Sequence, residues 1–119
     1  MIRVRISNQE AHYGGGLVSG AKILGYFGDA ATEILIRHDG DEGLFVAYDE
    51  VLFLAPVYAG DFLEVTAKLE KIGNRSRTIS FQAVKVIEAS RDISNPTKAH
   101  VLSSPLVVTK ASGTCVIPK

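Results

Sequence analysis

Only one cysteine, Cys115, occurs in the 119-residue chain. That scarcity excludes a disulfide framework and a thiolate metal site. As a nucleophile Cys115 is a poor candidate, because its near-terminal setting, SGTCVIPK, predicts a mobile tail. Charge of one sign is missing too: 13 Lys and Arg balance 13 Asp and Glu, so no overall field draws the protein to nucleic acid or to an anionic membrane. No apolar run reaches the roughly 20 residues of a membrane span, and MIRVRISNQE lacks the apolar core, about 7 to 15 residues, of a signal peptide. A cytoplasmic address is expected, with neither nucleic acid nor membrane as partner. Linkers, internal repeats and pyridoxal, flavin or metal motifs are absent, and His38 and His100, without metal-binding neighbours, read as structural. One domain, residues 1–119, is expected, with no cofactor and no metal.

Against these absences stands an ordinary globular composition, 46% apolar and 22% charged. IRVRI alternates branched residues with arginine, the period-2 pattern of a strand with one wet face. Gly20, Ile23, Leu24, Phe27, Ala31, Ile34 and Leu35 recur at helical spacing and predict a helix from about residue 17 to 36, with Ser19 as N-cap. HDGDEG predicts a reversal. LFVAYDEVLFLAPV is apolar on both alternating faces, as for a strand covered on two sides or crossing an interface, and Pro56 ends it. DFLEVTAKLEKI and TISFQAVKVIE alternate cleanly around GNRSR and read as a hairpin. AHVLSSPLVVT is a last strand that Pro105 confines to an edge or a bulge. One strand, one helix and four strands make an α+β domain, whose economical packing curls an antiparallel sheet around the single helix. The two-faced strand then needs cover from a second copy, so a homodimer at least is expected.

FLAPVYAGD at residues 53–61 and GNRSR at 73–77, in this element order, resemble the hotdog-fold superfamily of acyl-CoA thioesterases and dehydratases. AHYGG, GDAATEILIR, DGDEGLF and FLAPVYAGDF are further similar to a small family within it, the 3-aminobutyryl-CoA ammonia-lyases of lysine fermentation. The match runs from residue 1 to about residue 90. The resemblance implies a hotdog fold, an acyl-CoA thioester substrate with coenzyme A as part of it, and active sites between subunits. A trimer of dimers is common in similar proteins.

Elimination of ammonia beta to a thioester needs a base for the alpha proton and a donor for the charge that develops on the thioester oxygen. The resemblance implies Gly20 as that donor, where related enzymes aim a helix-opening amide at the carbonyl. Its alternative role, with Gly14, Gly15 and Gly16, is close packing of the helix against the sheet. Asp29 and Glu33 stand four apart on one face with Lys22 and Tyr26. Periodicity sets this stripe opposite the apolar face, where it is solvated, whereas a site between subunits brings it to the partner. The loop before the helix carries Glu10, His12 and Tyr13; His12 is a second candidate base or an exposed loop histidine, and Tyr13 a hydrogen-bond donor or a cover for the helix entrance. Asp49 and Glu50, pointing to opposite faces of an apolar strand, are reserve carboxylates. Arg75, Ser76 and Arg77, helped by Lys71, are expected to hold the phosphates of coenzyme A, or else form a solvated basic turn. Aligning Ala30 and Ala31 with the similar pair of thioesterases puts Gly28 where their catalytic aspartate stands.

The expected function is therefore a carbon–nitrogen lyase that converts 3-aminobutyryl-CoA to crotonyl-CoA. An acyl-CoA thioesterase, disfavoured by Gly28, and a noncatalytic acyl-CoA-binding or assembly module are the alternatives.

Overall fold

Alternation at Ile2–Arg5 makes β1, whose Ile2 and Val4 turn inward and whose Arg3 pairs with Glu64 across the sheet. The structure, a computed structural model, describes residues 1–118. After two single 3₁₀ turns, Asn8–Glu10 and Gly14–Gly16, come α1 (Gly20–Asp39), β2 (Leu44–Phe53), β3 (Phe62–Ile72), β4 (Ser76–Ala89) and β5 (Ala99–Val116). The strands form one antiparallel sheet in the order β1-β3-β4-β5-β2. One helix against one sheet is the architecture expected from the element order.

Helix α1 buries Ile23, Phe27, Ala30, Ala31 and Leu35, the stripe its periodicity predicts. Phe27 stacks on Phe81 of β4 with ring centroids 5.1 Å apart, and Leu63, Val65, Ile79, Ala83 and Val108 complete the core. The helix starts at Gly20 rather than residue 17 because Leu17 bridges Tyr58 and the Val18 N–H donates to the Val57 carbonyl, holding both residues extended. It runs on to Asp39, where Gly40 at φ 70° closes it by donating its N–H to the Ile36 carbonyl.

Two expectations are corrected here. Cys115 is not on a mobile tail: β5 continues to Val116, and Cys115 lies 1% exposed between Arg77 of β4 and Phe45 of β2. Ala111, Gly113 and Cys115 alternate inward, but residues so small carry too little apolar signal to be read as a strand. Asp49 and Glu50 do not point to opposite faces. Two irregularities in β2, between Phe45 and Ala47 and between Tyr48 and Glu50, each insert one residue against β5. Asp49 thus accepts from Ser112 Oγ at 3.3 Å while Glu50 is the residue in register with Ser112, so both lie on the face of that residue.

The same bulges explain why β2 is apolar on both alternating faces. Its half-buried positions Phe45, Tyr48 and Val51 recur every third residue; the Phe45 and Tyr48 rings join Phe81 over the core, and Val51 packs against it. Leu44, Val46, Leu52 and Phe53 are left exposed along a strand that pairs on one side only. Pro105 behaves as its chemistry predicts. It falls between the pairs Lys85–Leu106 and Ile87–Val101, in an irregular part of β5 beyond the reach of β2.

Candidate active site

The helix entrance is built by backbone geometry that only glycine adopts without strain. Gly15 and Gly16 have φ of 74° and 81°, and the turn they make lets the Leu17 carbonyl accept from the N–H groups of His12 and Tyr13 at 3.1 and 3.0 Å. The Gly16 carbonyl accepts from Ala59 N at 2.9 Å, which fastens the turn to the segment before β3. Ser19 occupies the N-cap position without a side-chain cap bond. The Ser19 side chain therefore caps no first-turn amide of α1, while its carbonyl accepts from Lys22 N at 3.1 Å. Close packing also operates at Gly20, since an added Cβ would stand 2.5 Å from the Phe53 ring.

Along the outward stripe of α1 the side chains differ in environment. Asp29 is exposed. Glu33 is half-exposed and has Arg37 Nη2 at 3.4 Å, a helical (i, i+4) pair, with the Met1 amino group at 3.9 Å. Tyr26 is only partly exposed and its hydroxyl donates to Glu10, which also accepts from Ser7 N and Ser7 Oγ, both at 3.1 Å. Glu10 thereby ties the loop of His12 and Tyr13 to the helix one turn before Asp29. The His12 and Tyr13 rings meet edge to face at 4.8 Å, both exposed. Gly28 has open space where a Cβ would project, so the structure could hold a side chain that the sequence omits.

The basic turn requires a correction. Arg77 is buried, and its Nε and Nη2 donate to the two carboxylate oxygens of Asp39 at 3.0 and 2.8 Å while Nη1 donates to the carbonyls of Gly73 and Ser76. It clamps the hairpin turn to the end of α1 and is not a free phosphate ligand. Arg75 is exposed and gives its Nε to the Ile117 carbonyl at 3.2 Å. Ser76 begins β4 beside it, exposed. The whole turn sits at the C-terminal end of a 20-residue helix, so within one chain it is roughly 30 Å from Gly20.

Sequence reasoning missed a buried ion pair. Lys85 follows Ile79, Phe81 and Ala83 on the inward side of β4 and is 2% exposed, with its Nζ 3.1 Å from Asp61 and donating to the Pro56 carbonyl at 3.1 Å. Asp61, fully buried, also accepts from Tyr58 N and Ala89 N. The period-2 register was the available signal, since it puts Lys85 inside and so demands an anion nearby. The pair fixes the APVYAGD segment over the end of the sheet. Among the described residues no three His, Cys, Asp or Glu side chains are grouped to hold a metal ion, and no helix is long and apolar enough to cross a membrane.

Comparison with known proteins agrees with this geometry. A family model described as the thioesterase superfamily matches residues 15–86. The chain is 56% identical to a 3-aminobutyryl-CoA ammonia lyase of Acetoanaerobium sticklandii, over all of this chain and 94% of that protein. It superposes on beta-alanyl-CoA:ammonia lyase from Clostridium propionicum with a TM-score of 0.93 at 38% identity, over 98% of this chain and 82% of that one. A hexameric hotdog fold thioesterase of Campylobacter jejuni shares the fold at a TM-score of 0.80 and 19% identity, over 99% of this chain and 81% of that one. The chain belongs to the thioesterase superfamily of hotdog folds and, within it, to the family of the acyl-CoA ammonia lyases.

Proposed function

We propose that this chain is a carbon–nitrogen lyase that eliminates ammonia from a 3-aminoacyl-CoA, converting 3-aminobutyryl-CoA to crotonyl-CoA in the lysine fermentation of the cytoplasm. The full-length likeness to the Acetoanaerobium lyase carries this reading. The site's chemistry supports it. A carboxylate takes the alpha proton, charge passes to the thioester oxygen, and the C–N bond breaks with its electron pair staying on nitrogen. The amine enters as ammonium and departs as neutral ammonia, so no general acid is needed.

Asp29 is our choice of base, because it is exposed on the stripe and among the described residues no ion pair holds it, whereas Arg37 and the Met1 amino group stand against Glu33. Glu33 adds negative potential for the substrate ammonium one turn further on. Gly20 offers the oxyanion donor at the mouth of α1, and His12 and Tyr13 complete the polar wall from their tethered loop. In this reading the chain works as a homo-oligomer in which the exposed apolar edge of β2 pairs with a second copy, and a trimer of such dimers is the full assembly. The reaction itself calls for no cofactor beyond the coenzyme A of the substrate.

The test is to mix the protein with crotonyl-CoA and concentrated ammonium and to follow enoyl-thioester absorbance and free thiol. Absorbance lost without thiol release is expected. Thiol release independent of ammonium would assign a thioesterase instead, and no change in either signal would assign a binding module. Asp29→Asn is expected to lower kcat by about 100-fold or more, the scale of a lost general base; an unchanged rate refutes Asp29 as the base.

A further inference from the structure

Lys85 and Asp61 take no part in the elimination described above, yet the fold encloses both, at 2% and 0% exposure. Stability does not account for the pair, since a buried ion pair gains little over apolar residues of the same volume. What apolar residues would not supply is partners for three backbone groups. The Asp61 carboxylate accepts from Tyr58 N at 2.9 Å and Ala89 N at 3.0 Å, and Lys85 Nζ donates to the Pro56 carbonyl at 3.1 Å. Without the pair all three lose these bonds.

The backbone so held is the one that meets the entrance of α1. The Val57 carbonyl accepts from Val18 N at 2.9 Å, Ala59 N donates to the Gly16 carbonyl at 2.9 Å, and Tyr58 bridges Leu17. Gly20 opens the helix two positions after Val18. The apolar stripe does not fix this first turn, because Ile23 is its first buried residue and Ala21 and Lys22 are exposed. Residues 16–18 therefore set where the Gly20 amide stands. On its other side the held segment is fastened to the end of β1: Gly60 N donates to the Ile6 carbonyl at 2.8 Å and Ile6 N to the Asp61 carbonyl at 3.0 Å. An oxyanion donor works by geometry fixed before the reaction, and a misplacement of about 1 Å can cost on the order of 100-fold in rate.

We propose that Asp61 and Lys85 are positioning residues for the thioester: acting through Val57 and Ala59, they hold the Gly20 amide where the oxyanion forms. The inference rests on the lyase reading above and deepens it by naming what aims its donor. In this role neither side chain touches the substrate.

The experiment uses the whole protein and crotonyl-CoA carrying an isotope label at its thioester carbonyl. Without ammonium, difference infrared spectra read the carbonyl stretch of the bound ester, which falls in frequency as the oxygen accepts a stronger hydrogen bond. With ammonium, amination gives kcat and KM. Asp61→Asn keeps the shape, but its single amide oxygen leaves one of the Tyr58 and Ala89 N–H groups without its acceptor. The double variant Asp61→Asn/Lys85→Met removes both charges, so no ion is left buried without its counterion should the single variant fail to fold. In the variants, shown to be folded by circular dichroism at the assay temperature, the carbonyl frequency is expected to return toward that of the free ester. Their kcat should fall about tenfold with KM within about twofold of wild type. A wild-type carbonyl frequency in the folded variants, or a loss confined to KM, would overturn the positioning role. A lowered frequency in wild type that the variants lose supports that role even where ammonium brings no amination, the result that sinks the lyase reading instead. A wild-type frequency equal to that of the free ester would overturn the donor at Gly20 and the positioning role with it.

Discussion

Arg77 commits its guanidinium to Asp39 and two carbonyls, and that pairing has a pH signature. The Arg77 hydrogen bonds, aided by His38, hold the Asp39 carboxyl below its ordinary 3.8. A carboxyl with a lowered folded-state value stabilises the fold above its unfolded value and loses that contribution as pH falls toward the folded one. Asp39→Asn is therefore expected to melt below wild type at neutral pH, and the gap should close as pH drops below 3.8; a gap that persists in acid would refute the ion pair as its cause. Cys115 offers a second check. Burial pushes its thiol up from the ordinary value, which keeps it protonated as well as hidden. Its reaction with an aromatic disulfide reagent at pH 8 should await denaturation, and prompt labelling of the folded protein would contradict a closed β5. Neither side chain was legible in sequence: Arg77 looks like any basic turn residue until Asp39, 38 positions away, is beside it.

Strand β2 shows how an element can be legible in existence but not in shape. Its apolar run ended by Pro56 announces a strand, yet nothing local distinguishes a regular pleat from one bulged twice. Partner β5 bears the trace. A Cβ at Gly113 would sit 2.7 Å from both the Ala47 carbonyl and the Phe45 ring, so the bulge and the inward Phe45 ring require a glycine opposite. Gly113→Ala is expected to destabilise the fold by about 1 to 3 kcal/mol, the usual cost of overpacking, read from urea denaturation midpoints. An equal midpoint would show that the sheet gives way there at no cost. Helix α1 is the opposite case, because its buried stripe is written in its period and the structure moves only its ends, for reasons of cap and bridge.

Across the protein as a whole, the open edge of β2 sets the remaining question. Val46 is 59% exposed on it, beside Leu44 and Phe53, and unpaired strand edges of this kind invite another chain. In the assembly proposed above, Val46→Glu would place a carboxylate against an apolar partner strand. Light scattering should then report a smaller particle, with the circular dichroism of the monomer retained, and amination should fall because the outward stripe of α1 loses the partner subunit that a site between subunits needs. An unchanged particle mass would remove β2 from the interface.

Periodicity and turn chemistry alone were enough for the α+β class, the order of the elements, the inward faces of α1, β3 and β4, and the irregularity at Pro105, because each depends on residues a few positions apart. The residues of the family motifs pointed to the acyl-CoA ammonia lyases on the same local footing. Decisions that involve distant partners came only with the tertiary structure. Arg77 turned from phosphate ligand to clamp by meeting Asp39, Lys85 became tolerable in the core by meeting Asp61, and Cys115 left the supposed tail because β2 and β4 flank it. A charge or a thiol acquires its role from what desolvates it and what answers it, and those neighbours are distant in the chain.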